Sequence, residues 1–359
     1  MVSPIPPGAE GETRKPNRTA ALASLGRFQV NTPPPAAPAS RGLRSHPARQ
    51  RRKVGAMSGR LFTWWRAKNL GPRAAVLGAG AMAFLAQAAS PATRPPIDVF
   101  LLAGQSNMAG ADAVVEEPPG FVSTAADRLT LFTCAPVAEG ARSPRYYPWG
   151  ELRGHRSTGD QLVHGPEIGF ARRLHESGVG PIAIVKVWAN FPREVSAWPW
   201  REGGELFTPW MEFVEERLAE LRTRGFEPRV RGFIWHQGID DAIHATLGAR
   251  YGDNLRALIL ALRRRQAAVD TPFVLARSVN SPIARRITGA GPDDPMAVVR
   301  RTQFALNTTI PHVSCIGLDD LPNVNQHHFS AESQLVIGRR LGEAYLAMTA
   351  VKREGPHAR

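Results

Sequence analysis

Cysteine is almost missing from this chain. Two occur in 359 residues, Cys134 and Cys315, too few and too widely spaced for a disulfide framework. Cys315 sits in the apolar run VSCIGL and reads as a buried free thiol; pairing with Cys134 is the alternative that an oxidising compartment would favour. Acidic residues are scarce at the start. Residues 1–95 hold 15 Lys/Arg against 2 Asp/Glu, so they carry nearly all of the net charge of +14. The remainder holds 30 basic and 29 acidic side chains, and a nearly neutral body argues against nucleic acid as a partner. Long hydrophobic runs are also lacking: AAVLGAGAMAFLAQAAS, at 74–90, is short for a spanning helix.

Residues 1–60 are rich in Pro, Ala, Arg and Ser without sustained apolar periodicity. Such a segment buries too little surface to offset its conformational entropy, and it reads as a disordered basic arm. The cluster Arg49, Arg51, Arg52 and Lys53 has no interleaved aromatics and reads as a solvated tail. Residues 61–95 read as a signal peptide or an N-terminal anchor. After Met57 come Arg60, Arg66, Lys68 and Arg73, then the short apolar stretch, then Ala86-Gln87-Ala88. A positive region, an apolar region and small residues before a cut are the parts of a secretory signal, here about 57–88. A signal should start a chain, so the first 56 residues read as a gene-model extension. The expectation is a secreted or periplasmic domain over 96–350 and a disordered tail at 351–359; a membrane enters only if the apolar segment is retained.

From residue 96 apolar runs alternate with amphipathic stretches, the pattern of βαβ units with helices on both faces of a parallel sheet. Five runs read as buried strands: IDVFLLAG (97–104), PIAIVKVWA (181–189), VRGFIWHQG (230–238), PFVLARSV (272–279) and VSCIGL (313–318). Helices are expected near 165–178, over 206–225 with Phe207, Trp210, Phe213, Val214, Leu218 and Leu221 on one face, and through the two apolar-periodic segments that follow. A last helix starts at Ser330, a good N-cap residue. The stretch 111–163, rich in Gly, Pro and Arg, reads as long loops. One α/β domain of about 260 residues accounts for all of this.

Three polar clusters fall at carboxyl ends of these strands, where open parallel sheets carry their ligands. LLAGQSNMAG presents Gln105, Ser106 and Asn107; a serine there is placed to be a nucleophile, although turn serines are usually only caps. FIWHQGIDDA presents Trp235, His236, Gln237 and Asp241, and an amide such as Gln237 can donate to a developing oxyanion. His236, Asp240, Asp241 and His244 follow no recognised metal-ligand spacing, so no metal is expected. PNVNQHHFSAES presents Asn325, His327 and His328. Serine, histidine and an amide donor on one sheet edge are the parts of an acyl-transfer site.

In these residues the chain resembles the sialate O-acetylesterase and acetylxylan esterase domain of the SGNH hydrolases. The resemblance rests on GQSNMAG at 104–110, GPEIGFARRL at 165–174, WHQGIDD at 235–241 and NQHHF at 325–329, four blocks in the family's order over roughly 96–348. It implies a three-layer α/β/α sandwich around a mostly parallel five-stranded sheet, flavodoxin-like in kind. It further implies an esterase acting on O-acetylated carbohydrate, sialic acid or polysaccharide, without metal or organic cofactor. Ser106 would be the nucleophile and His328 the general base, because His328 holds the family's register before Phe329 and the helix cap Ser330. The oxyanion hole would be the N–H of Ser106, the N–H of Gly165 and the side chain of Gln237. Gln105, Asn107, Trp235, His236 and Asp241 would bind substrate or support the site.

Three positions depart from the family pattern: Asn325 stands where the family has the acid of D-x-x-H, Ile239 where it has Glu, and VWANFPREVSAW after Lys186 replaces a Gly-Gly-Thr-Ser-like stretch. Replacing the acid of a serine-protease triad by Asn costs about 10⁴ in turnover, roughly 5 kcal/mol of barrier. Asn325 can still accept a bond from the ring through its amide oxygen, as in Cys-His-Asn hydrolases. Asp319, Asp320 or Asp241 are the other candidates for that place. A weakened or inactive carbohydrate-binding relative of the same fold is the alternative to the esterase.

Overall fold

The structure, a computed structural model, describes residues 94–115, 123–157, 160–189, 200–265, 268–282, 291 and 293–353. The expected basic arm, the signal segment up to residue 93 and the end of the chain after residue 353 lie outside the described residues, as does most of VWANFPREVSAW. Among the described residues no helix is long and apolar enough to cross a membrane.

All five expected strands form. They are β1 (Pro96–Gly104), β6 (Ile182–Trp188), β7 (Glu227–His236), β8 (Phe273–Ala276) and β9 (Val313–Ile316). The sheet has seven strands, two more than expected, because β2 (Thr130–Pro136) and β3 (Tyr147–Glu151) add to it in the order β3-β2-β6-β1-β7-β8-β9. Both come from the stretch read as loops. TLFTCAP in β2 is almost wholly buried, a short apolar and β-branched run hidden among turn residues. Edge strand β3 buries only Trp149, so it has no continuous apolar signal, and it pairs antiparallel with β2. The other neighbours pair in parallel. A separate ribbon joins β4 (His155–Arg156) to β5 (Leu162–Val163).

Strand β1 has the chain's two layers written into it. Side chains alternate faces along a strand, so Val99, Leu101 and Ala103 enter one core while Phe100 and Leu102 enter the other. The first core is closed by α4 (Phe207–Thr223), α6 (Ala245–Arg265) and α7 (Pro295–Thr309), through residues such as Trp210, Leu255 and Val299. The second is closed by α3 (Glu167–Glu176) and α8 (Ala331–Arg353), through Phe170, Leu174, Leu341 and Tyr345. The result is the expected three-layer α/β/α sandwich. Short helices α1 (Ser106–Ala109), α2 (Ala125–Arg128) and α5 (Ile239–Ala242) fill loops. Helices α3 and α8 touch backbone to backbone: a Cβ on Gly169 would lie 2.0 Å from the Leu335 carbonyl oxygen, and one on Gly338 would lie 2.0 Å from that of Pro166. That crossing brings the loops before the two helices, one with Gly165 and one with His328, to the same edge.

From β1 the chain builds β2, β3 and β6 on one side and β7 to β9 on the other. The carboxyl end of β1 is therefore the switch point of the sheet, where a crevice opens. Cys134 and Cys315 lie on β2 and β9, buried and unpaired. They sit on opposite sides of β1, so the disulfide alternative is not realised, and burial pushes the Cys315 thiol up to about 12, which disfavours its thiolate.

Candidate active site

Ser106 occupies the switch point because β1 ends against β7 without room to spare. A Cβ on Gly104 would lie 2.2 Å from the carbonyl oxygen of His236, and the N–H of Gln105 donates to that same oxygen at 3.1 Å. The buried Gln105 side chain then accepts from the N–H groups of Gly238 (2.8 Å) and Ile239 (3.1 Å), tying the loop after β7 to the loop after β1. Gln105 is thus a support for the site. Ser106 opens α1, and the left-handed Gly110 (φ 85°) closes it by donating to the Ser106 carbonyl. An N–H in a first helical turn has no intrahelical acceptor, which leaves that of Ser106 available to a ligand.

His328 is held from both sides. Phe329 beside it is fully buried, a burial worth about 1.5–3 kcal/mol, and Ser330 caps α8 by accepting from the N–H of Ser333 at 3.1 Å. Asn107 brackets the histidine: its Nδ2 donates to the His327 carbonyl at 2.9 Å and its Oδ1 accepts from the Phe329 N–H at 3.4 Å. Gln334 on α8 donates to the Asn107 carbonyl at 3.0 Å. These bonds put Nε2 of His328 2.9 Å from Oγ of Ser106. The neighbouring His327 packs its ring edge-on against His328, 4.2 Å between centroids, and burial together with that neighbour holds its pKa below the usual value.

The group facing the other nitrogen of His328 is Asp112, an acid outside the three polar clusters. Oδ2 of Asp112 lies 2.6 Å from Nδ1. A carboxylate only accepts, so Nδ1 carries the proton and Nε2 is left to accept from the Ser106 hydroxyl. Asn325 is corrected accordingly. Its Oδ1 accepts from the backbone N–H groups of His327 (3.0 Å) and His328 (2.8 Å), and its Nδ2 donates to Asp112 at 2.6 Å. The amide oxygen is spent on backbone and cannot orient the ring. The other candidate acids are elsewhere engaged: Asp319 with Arg277 and Arg300, Asp320 with Arg340, and Asp241 with Gln237. Asp112 stands six residues after Ser106 in a left-handed turn (φ 61°), a conformation Asp tolerates better than most residues. Its only sequence signal was a lone acid beside the nucleophile's glycine turn.

Of the three expected oxyanion donors, one is occupied. The Gly165 N–H donates to the carboxylate of Glu167 at 3.1 Å, so it is not an open donor here. Gly165 instead serves close packing: a Cβ there would lie 2.3 Å from the Met108 carbonyl oxygen. Gln237 is buried, and its Nε2 donates to Asp241 at 2.6 Å. An amide nitrogen has two N–H groups, so this bond orients Gln237 and leaves one for a further acceptor. The Gln237 carbonyl is fixed separately, by Tyr251 Oη (3.0 Å) and Gln303 Nε2 (2.8 Å).

Trp235 and His236 face opposite layers, as neighbours on a strand must. Trp235 stacks edge-on to Trp200, centroids 5.2 Å apart, inside the first core, so of its two expected roles it has the supporting one. His236 is fully buried next to Phe329, and among the described residues neither ring nitrogen has a hydrogen-bond partner. Burial, with His328 adding repulsion, pulls its pKa down to about 3, so it is a neutral imidazole under the site rather than a substrate contact.

Behind Gly165 lies a buried ion pair. Lys186 Nζ and Glu167 Oε2 are 2.7 Å apart with both side chains wholly inaccessible, and His155 Nδ1 is 3.8 Å from Glu167 Oε1. Burial first, then the charge of Lys186, holds His155 neutral with a pKa well below its usual value. Among the described residues no three His, Cys, Asp or Glu side chains converge as metal ligands.

Residues 96–347 match the family described as carbohydrate esterase, sialic acid-specific acetylesterase. A probable carbohydrate esterase of Arabidopsis thaliana is 26% identical over 258 residues, which are 70% of this chain and 92% of that protein. A solved structure of the Arabidopsis protein superposes with a TM-score of 0.53 at 23% identity, covering 70% of this chain and 99% of that one. A carbohydrate acetylesterase of Xanthomonas citri gives 0.52 at 20% identity, over 71% of this chain and 57% of that one. The crystal structure of NanS gives 0.51 at 14% identity, over 72% of this chain and 99% of that one. These likenesses confirm the fold, and the family match covers the whole sandwich with its switch-point serine. The chain belongs to the carbohydrate esterase family of the sialic acid-specific acetylesterase type, a family of carboxylic ester hydrolases.

Proposed function

We propose that this protein is a serine esterase that removes O-acetyl groups from a carbohydrate, sialic acid or an acetylated polysaccharide, acting outside the cytoplasm after export through the segment at about 57–88. One observation carries the reading: Ser106, His328 and Asp112 form an unbroken hydrogen-bonded line of 2.9 and 2.6 Å at the sheet's switch point. In it His328 Nε2 takes the Ser106 proton as Oγ attacks the acetyl carbonyl. The imidazolium that forms is balanced by Asp112. The N–H of Ser106 and the Asp241-held amide of Gln237 donate to the oxyanion. His328 then returns the proton to the leaving sugar hydroxyl, giving an acetyl-serine. Water, deprotonated by the same Nε2, releases acetate and restores the serine.

The test is acetate release from an aryl acetate and from O-acetylated sugars by the wild-type protein and Ser106→Ala. A loss of several orders of magnitude in the variant is expected; equal rates overturn the proposal and favour a carbohydrate-binding role.

A further inference from the structure

Asn325 stands where the family carries an acid, and the structure shows what an amide does there that an acid cannot. Its Oδ1 takes two backbone N–H groups, those of His327 and His328, and its Nδ2 gives a hydrogen bond to Oδ2 of Asp112. The same oxygen receives Nδ1–H of His328. Both donors converge on one atom, which is why Asn325 Nδ2 and His328 Nδ1 stand only 3.4 Å apart. An ionised Asp at 325 would keep the two backbone bonds and lose the third. It would also set a second negative charge beside Asp112.

We infer that positions 112 and 325 form a seat for one carboxylate and one amide, in which Asn325 is a positioning residue for the acid that has moved to the nucleophile's own loop. The inference rests on the proposed Ser106–His328 chemistry. Its support is geometric and electrostatic together. Burial raises the Asp112 carboxyl, but the bonds from His328 and Asn325 outweigh this and hold it below the usual carboxylate range. The Asp112 side chain is half exposed, so its place depends on those two bonds more than on packing. The titratable groups facing His328 are Asp112, His327 and the neutral His236, and those facing Asp112 are His328 and His327.

The arrangement predicts an exchange. Asp112→Asn is tolerated by the left-handed turn, since Asn adopts that conformation readily, and it removes the charge and turns one accepting oxygen into an N–H donor. It should lower kcat about 10³–10⁴-fold with little change in KM. Asn325→Asp alone should not exceed the wild-type rate near neutral pH, because two carboxylates at this distance cannot both ionise freely. The double variant Asp112→Asn/Asn325→Asp restores one acid and one amide, and it should recover at least tenfold over Asp112→Asn. The acid limb of kcat/KM against pH should move down in Asp112→Asn, up in Asn325→Asp, and return in the double variant.

The experiment measures these profiles for the full-length protein with an aryl acetate, alongside the downfield proton NMR signal of His328 Nδ1–H and the melting temperature of each variant. The NMR signal is expected in the wild type, lost in Asp112→Asn and regained in the double variant. A double variant as slow as Asp112→Asn with no regained signal, or an Asn325→Asp variant faster than the wild type, overturns the inference. Absence of any Ser106-dependent hydrolysis would fail the reaction assignment alone, and the NMR signal would still decide the seat.

Discussion

Oδ2 of Asp112 and Nδ1 of His328 meet at 2.6 Å although 216 positions of chain separate them. The contact joins the turn after β1 to the loop before α8, two segments anchored independently by Gly110 and by Phe329. It selects the tautomer that leaves Nε2 free to accept from Ser106 at 2.9 Å.

The bracket formed by Asn107 should matter for turnover more than for binding. Asn107→Ala removes the bonds to the His327 carbonyl and the Phe329 N–H. A displacement of His328 by about 1 Å costs on the order of 10²-fold in rate. The expected result is a fall in kcat of that size with KM nearly unchanged, measured by steady-state kinetics on an aryl acetate.

Gln237 is tested through its partner as well as directly. Gln237→Ala should lower kcat by about 10²–10³, the usual cost of one oxyanion donor. Asp241→Ala, which frees the Gln237 amide to turn, should reproduce part of that loss. If both variants keep wild-type kcat, Gln237 does not face the oxyanion.

The ion pair of Lys186 and Glu167 predicts an asymmetric stability response. Lys186→Met strands a buried carboxylate and should destabilise by about 3–5 kcal/mol, read from denaturant unfolding. The double variant Lys186→Met/Glu167→Met removes both charges. It should lose less than Lys186→Met alone, because no unpaired charge remains.

Acid should unfold the protein through its buried histidines. The folded pKa of His236 is about 3 and that of His155 is also well below 6.5, so the unfolded chain binds these protons first. The stability they contribute is complete above pH 6.5 and is lost progressively as pH falls below it. At pH 5 His236 alone costs about 2 kcal/mol relative to neutral pH, and His155 acts in the same direction. Melting temperatures at pH 7.5 and 5 should show the drop, and His236→Phe should make it smaller.

What the sequence determined by itself is the sandwich and two of the three residues in the hydrogen-bonded line. Buried strands and amphipathic helices are encoded in neighbouring residues, so β1, β6, β7, β8 and β9 were legible as apolar runs. Ser106 was legible from GQSNMAG after a strand, and His328 from its register before Phe329 and Ser330. Strands β2 and β3 were masked by turn residues and by an edge position that buries little. The acid belonged to the tertiary structure alone. Asn325, Asp319, Asp320 and Asp241 were all chemically able to face the ring, and which oxygen does so depends on how two loops from distant parts of the chain meet. Gly110 bends one of them back in the left-handed region and carries Asp112 to the histidine. No local pattern records that encounter, because it is fixed by the packing of β1 and α8 rather than by the residues beside Asp112.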